Sequence, residues 1–232
     1  MIVDRAADCG ALYDHERTTV MALAAGLTAE QLATPVPATP AWTVHDVLAH
    51  VVGIAADLNT QDFGSGDPDA WTARQVDRRR SRSVADLALE WAAEAPRFTE
   101  GLALFGYELG SHYVGDLVQH VADIHHALGL PRRDDDDPSL VVALDFYLDS
   151  FHETLREADI GSVAMVVSGE PWELGSGPVV AWLTTGRFEI FRALGGRRSE
   201  AQIRALAWTG HAEPVVGLVS RYGVPADDLV ER

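Results

Sequence analysis

The stretch "GDLVQHVADIHHAL", residues 115–128, carries the apolar rhythm of a buried helix together with three histidines and two aspartates. At about 100° per residue, Val121, Ile124 and Leu128 fall within roughly 40° of Leu117, which sets the core direction. His120 lies about 60° to one side of it and Asp116 about 100° to the same side. A pair at i and i+4 can meet on one flank of the stripe. His112 falls on that flank as well, whereas His125 points almost directly away from Asp116.

Similar patterns run through the first two thirds of the chain. Residues 4–26 read as a helix, with Ala6, Leu12, Val20, Leu23 and Leu27 as its apolar positions. "TPVPATPAW", 34–42, breaks the pattern as an extended connection. In "TVHDVLAHVVGIAADL" Thr43 is a good N-cap and Asp46 completes a variant of the capping box. Val44, Val47, Leu48, Val51, Ile54 and Leu58 form the buried stripe of this second helix. The glycine- and aspartate-rich residues 64–69 form a loop. A third helix covers 84–104, with Val84, Leu87, Leu89, Trp91 and Ala95 among its apolar positions. The fourth covers 110–128, stopped by Gly129 and Pro131. "RRDDDD" is a turn, and a fifth helix covers 138–157 with Leu140, Leu144, Tyr147, Leu148, Phe151 and Leu155.

Near residue 160 the texture changes. "SVAMVVSG" and "PVVAWLTT" are β-rich runs separated by the turn residues of "GEPWELGSG", and short helices follow over 186–194, 200–206 (capped by Ser199) and 214–222. The expectation is a mainly α protein: a helical bundle over 1–160 and a small α+β domain over 161–232.

Composition narrows the function. A net charge of −17 argues against nucleic acid, because a phosphate backbone would be repelled over most of the surface. The one basic run, "RQVDRRRSRS" at 74–83, reads as a solvated loop or helix end, or as a local anion site. No apolar run is long enough to span a bilayer, and "MIVDRAADCG" lacks the basic start and apolar centre of a signal peptide, so the expectation is a soluble, cytoplasmic protein without a membrane partner. All 18 basic residues are arginine, which excludes Schiff-base chemistry on lysine. Together with the abundant Ala, Asp, Val and Gly, it points to a GC-rich genome, which an actinobacterial source would fit. Cys9, the only cysteine, excludes an intrachain disulfide and a Cys-rich zinc site and reads as a buried thiol.

Asp116 and His120 beside an apolar seam make half a metal site, and a third donor from a neighbouring helix would complete it. His50, between Val47 and Ile54 on the helical wheel, is suitable. Two histidines and one carboxylate leave coordination positions open, as a catalytic metal requires. The alternatives are a hydrogen-bonded core histidine at 50 and a surface ion pair at 116 and 120. His45, His125 and His126 read as exposed, and Asp123 as a group that could orient a ligand.

Three segments carry a family resemblance. "PAWTVHDVLAHVVG" resembles the P-x-W-T-V-x-D-V-x-x-H-x-x-G segment of the mycothiol-dependent maleylpyruvate isomerase family, whose N-terminal region is a DinB-like four-helix bundle. "DLVQHVADIHHALG" resembles a later helix of that family, and "FRALGGRRS" its G-R-R segment in a smaller C-terminal domain. The resemblance implies a divalent metal, usually zinc, with nickel or another ion as an alternative, held by His50, Asp116 and His120. The family's best-known member has glutamate where this chain has Asp116, one methylene shorter, and His112 could compensate. It also implies a low-molecular-weight thiol, mycothiol, acting on a small electrophile as S-transferase or cis–trans isomerase. Arg197 and Arg198 would serve the substrate, or form a salt bridge between domains. The rival readings are a non-catalytic ligand-binding or regulatory protein and a metal-dependent hydrolase. A monomer or homodimer is expected.

Overall fold

The computed structural model describes residues 5–64, 66–220 and 222–231. Residue 4 of the expected first helix, residue 65 of the loop and residue 221 of the last expected helix lie outside them. The chain divides into two compact units, Asp8–Arg132 and Arg133–Glu231, the latter joined by residues 5–7.

The first unit contains α1 (Cys9–Ala25), α2 (Ala29–Leu32), β1 (Pro35–Val36), β2 (Thr39–Thr43), α3 (Val44–Asn59), α4 (Pro68–Arg79), α5 (Val84–Phe105) and α6 (Tyr107–Ala127). Four of these form the bundle: α1 and α3 each pack on both α5 and α6. Helix α3 is buried nearly all round, because α4 also lies against it. Its start is fixed by the expected capping box, in which Asp46 N–H donates to Thr43 Oγ1 while Asp46 Oδ2 accepts from the Thr43 N–H. Tyr13, Trp91 and Phe98 form the aromatic centre, where Trp91 Nε1 donates to the Tyr13 hydroxyl at 3.1 Å. Between α5 and α6 the chain reverses at Gly106 alone, with φ 86° and ψ −177°, a conformation open essentially to glycine.

Several local expectations change. Helix α1 begins at Cys9, capped by Asp8; of the expected stripe Val20 is buried while Leu12, Leu23 and Leu27 are half-buried, and the buried face is Cys9, Tyr13, Glu16, Val20 and Ala24. Leu89 faces solvent. "TPVPATPAW" pairs with itself as the β1–β2 hairpin. The basic run belongs in part to α4, where Arg79 is buried and its guanidinium grips Glu90 of α5 at 2.6 Å.

The second unit holds α7 (Pro138–Ala158), β3 (Ser162–Val167), β4 (Glu170–Gly175), β5 (Val179–Thr185), α8 (Arg187–Leu194), α9 (Glu200–Arg204), β6 (Ala207–Gly210) and α10 (Glu213–Val216). The sheet order is β4-β3-β5-β6, with β3 and β5 parallel and the outer pairs antiparallel. Val163, Met165, Val167, Ala181 and Leu183 alternate inward. "EPWELG", expected as turn, is strand β4, because the reversal is completed by Ser168 and Gly169, both at positive φ as a tight hairpin requires.

Helix α7 packs on α8 and β4. By internal contacts the chain therefore divides between Arg132 and Arg133, whereas the sequence suggested 160. The apolar stripe of α7, from Leu140 to Leu155, belongs to the second core. The fold is nonetheless mainly helical, a bundle followed by a small α+β part. No helix among the described residues is long and apolar enough to cross a membrane.

Candidate metal centre

The central helices α3 and α6 bring His50, Asp116 and His120 together: one ligand atom from each lies within 4.8 Å of the other two. His50 and His120 are buried, while Asp116 is half-buried with its side chain 30% exposed, so the cluster is closed on the helix side and opens at the carboxylate. The two imidazole rings meet edge to face at 4.8 Å. The Trp42 ring, from the end of β2, lies 5.0 Å from His50 and 6.3 Å from His120.

Each histidine has a polar group behind it, hydrogen-bonded to His50 and near His120. His120 turns Nε2 to Asp116 Oδ1 at 3.7 Å and Nδ1 to Asp123 Oδ2 at 3.4 Å, and Asp123 is fully buried. Nδ1 of His50 lies 2.8 Å from Oε1 of Gln75 on α4. In His50 this leaves Nε2 as the donor atom, and His120 already turns Nε2 to the cluster.

The donor set fits a divalent cation. Metal–ligand bonds of about 2 Å place neighbouring ligand atoms roughly 3–4 Å apart, so the spacing here needs only small side-chain rotations. Two nitrogens and one oxygen suit zinc and other borderline ions, and three protein ligands leave room for an exogenous one. The shorter aspartate still reaches the two rings.

Other histidines stand apart from this group. His112 stacks on Tyr113 at 4.9 Å, and burial pushes its pKa down against the opposing pull of Asp116. His45 Nε2 is 2.8 Å from the Arg82 carbonyl, and His125 Nδ1 is 3.0 Å from that of Pro131. His45, His125 and His126 are half-buried rather than exposed.

Arg197 and Arg198 belong to the second unit. Arg198 is buried and forked onto Glu189, with Nε and Nη2 at 2.6 and 2.9 Å, and its Nη1 is 2.8 Å from Glu231. Arg197 Nη1 donates to the Gly195 carbonyl at 2.6 Å. Both are engaged within their own unit.

Two features were not read from the sequence. Gln75 was hidden at the edge of a basic run. An apolar cleft of about 600 Å³ in the first unit is lined by residues that include Leu58, Phe63, Leu104, Phe105 and Tyr113. Tyr113 lies one turn before Asp116 on α6.

Fold and cluster together define a class, helical-bundle proteins with a partly buried His–Asp–His group between central helices. Residues 13–108 match the family model described as the mycothiol maleylpyruvate isomerase N-terminal domain, so the resemblance read from the sequence holds over this part of the chain. Among solved structures, the crystal structure of the mycothiol-dependent maleylpyruvate isomerase is similar with a TM-score of 0.50 and 14% identity, covering 82% of this chain and 88% of that one. A histidine-to-alanine mutant of the same protein gives a TM-score of 0.48 and 12% identity over 81% and 88%. At such identity the likeness concerns the fold. No curated protein sequence matches the chain significantly.

Proposed function

We propose that the chain is a metal-dependent enzyme that uses a low-molecular-weight thiol, mycothiol, on a small electrophile, as an S-transferase or a cis–trans isomerase. The observation that carries this reading is the convergence of His50, Asp116 and His120 on a scaffold whose residues 13–108 match the mycothiol maleylpyruvate isomerase N-terminal domain.

His50 and His120 would supply neutral nitrogen donors through Nε2, and Asp116 a negative oxygen. A divalent ion bound there would stabilise the thiolate of a bound thiol, so that the nucleophile is available at neutral pH. The protein's part is to hold the donors and to exclude bulk water: Trp42 flanks both rings, and the opening lies on the Asp116 side. The thiolate would add to one carbon of an activated double bond, forming a C–S bond as the π bond breaks and its electron pair passes to the conjugated acceptor group. Rotation and expulsion of the thiolate would restore the double bond in the other geometry; protonation of the carbanion, by the proton the thiol released, would instead keep the thioether and complete transfer. The apolar cleft, whose lining includes Tyr113 one turn from Asp116, would take an apolar part of the electrophile.

The test is turnover of a panel of activated alkenes, with and without mycothiol and with zinc or nickel added. The reading expects reaction only with both thiol and metal, lost in His50→Ala. Metal-dependent turnover of ester or amide substrates without thiol would instead make the protein a hydrolase.

A further inference from the structure

His50 is the end of a hydrogen-bonded chain whose direction is fixed from its far side. Gln75 has no exposed surface; its Oε1 lies 2.8 Å from His50 Nδ1 and its Nε2 donates to Asp57 Oδ2 at 3.0 Å. Asp57 is buried on α3, two turns beyond His50, and Arg78 Nη1 lies 3.4 Å from its Oδ1. A carboxylate beside a guanidinium can only accept, so the Gln75 amide must turn its NH₂ to Asp57 and its carbonyl to His50. That carbonyl also only accepts, so Nδ1 of His50 carries a proton. In the neutral ring the lone pair is then on Nε2.

The chain has a steric condition. Gly53 lies one turn after His50 on α3, and a Cβ there would stand 2.6 Å from Cβ and 2.8 Å from Cγ of Gln75. Glycine at 53 lets α4 approach until Gln75 reaches the ring. The histidine and the glycine of "HVVG" therefore form one device: a donor and the space for the residue that orients it.

We propose that Gln75 is a positioning residue which, backed by Asp57 and admitted by Gly53, holds His50 in the Nδ1–H tautomer and so raises the affinity of the cluster for a divalent ion. Outer partners of this kind commonly change metal affinity by about 10–100-fold. The inference rests on the metal reading above.

Its test compares wild type, Gln75→Met, Gln75→Glu and His50→Ala in the full chain. Zinc affinity is measured by competition with a chromophoric chelator, and the His50 tautomer by ¹⁵N NMR of histidine-labelled, metal-free protein. Gln75→Met keeps the length but removes the acceptor; it should bind zinc roughly 10–100-fold more weakly and show mixed tautomers. Gln75→Glu keeps an acceptor at the same reach, and should keep the Nδ1–H form and recover most of the affinity. A wild-type chain that binds no zinc overturns the metal reading and this inference with it. Zinc binding that is lost in His50→Ala but unchanged in Gln75→Met overturns this inference alone. So does a folded Gln75→Glu protein with mixed tautomers, should the methionine variant fail to fold.

Discussion

Trp42 stands where its ring can report on the cluster, 5.0 Å from His50 and 6.3 Å from His120. Nickel bound by these rings should quench part of the tryptophan emission, and Trp42→Phe should remove that part; the same quench in the variant would place the ion elsewhere. Cys9 gives a second prediction at this scale. Burial pushes its thiol up from 9.0 to about 11, with the Asp8 charge adding to the effect. Between those values the unfolded chain has lost the thiol proton and the folded chain retains it, so stability falls as pH rises through the window. Urea unfolding should show that decline from about pH 9 to 11, and Cys9→Ala should flatten it between about pH 9 and 10, below the range where the buried Tyr13 adds its own decline. An identical slope in the variant would contradict the assignment. The residues of the cluster were legible in the sequence because helical spacing alone puts Asp116 and His120 on one flank. Gln75 was not legible: an uncharged amide beside a basic run carries no signal until packing shows what it touches.

At the scale of elements, α4 matters more than its composition suggests. It supplies Gln75, and it is tied to α5 through Arg79, which is buried against Glu90, while the exposed Arg82 takes the other carboxylate oxygen at 2.6 Å. Glu90→Ala leaves a buried guanidinium without its partner and should cost about 2–3 kcal/mol, below the fully buried case because Glu90 is partly exposed. Arg82→Ala removes a solvent-facing partner and should cost under about 1 kcal/mol. Chemical denaturation of the two variants checks the contrast, and equal losses would refute it. The basic run was read as a loop or helix end because its arginines outnumber its apolar residues; the ion pair that buries Arg79 comes from Glu90, on another helix. Strand β4 was missed for a related reason. "EPWELG" has the composition of a turn, and its strand character comes from pairing along β3. Helices α3, α6 and α7 were legible because their apolar periodicity is long and is bounded by caps or stop signals.

At the scale of the whole molecule, sequence texture identified a helical part and a mixed part, and both exist. Periodicity could not say which core α7 serves. Its stripe is as apolar as that of a bundle helix, yet it packs on α8 and β4 in the second unit. Within the second unit, Arg192 and Arg198 both hold Glu231. Truncating Glu231 to Ala should therefore destabilise by about 3–5 kcal/mol, as expected when a buried ion pair loses one partner. In the first unit, the two middle helices would form one metal-binding site from His50, Asp116 and His120. The most direct measurement is elemental mass spectrometry of untagged protein, wild type beside His50→Ala, Asp116→Ala and His120→Ala. The wild type should carry near-stoichiometric divalent metal, and each variant should lose it. A wild-type protein without metal after incubation with zinc and nickel, or metal retained in all three variants, would contradict it.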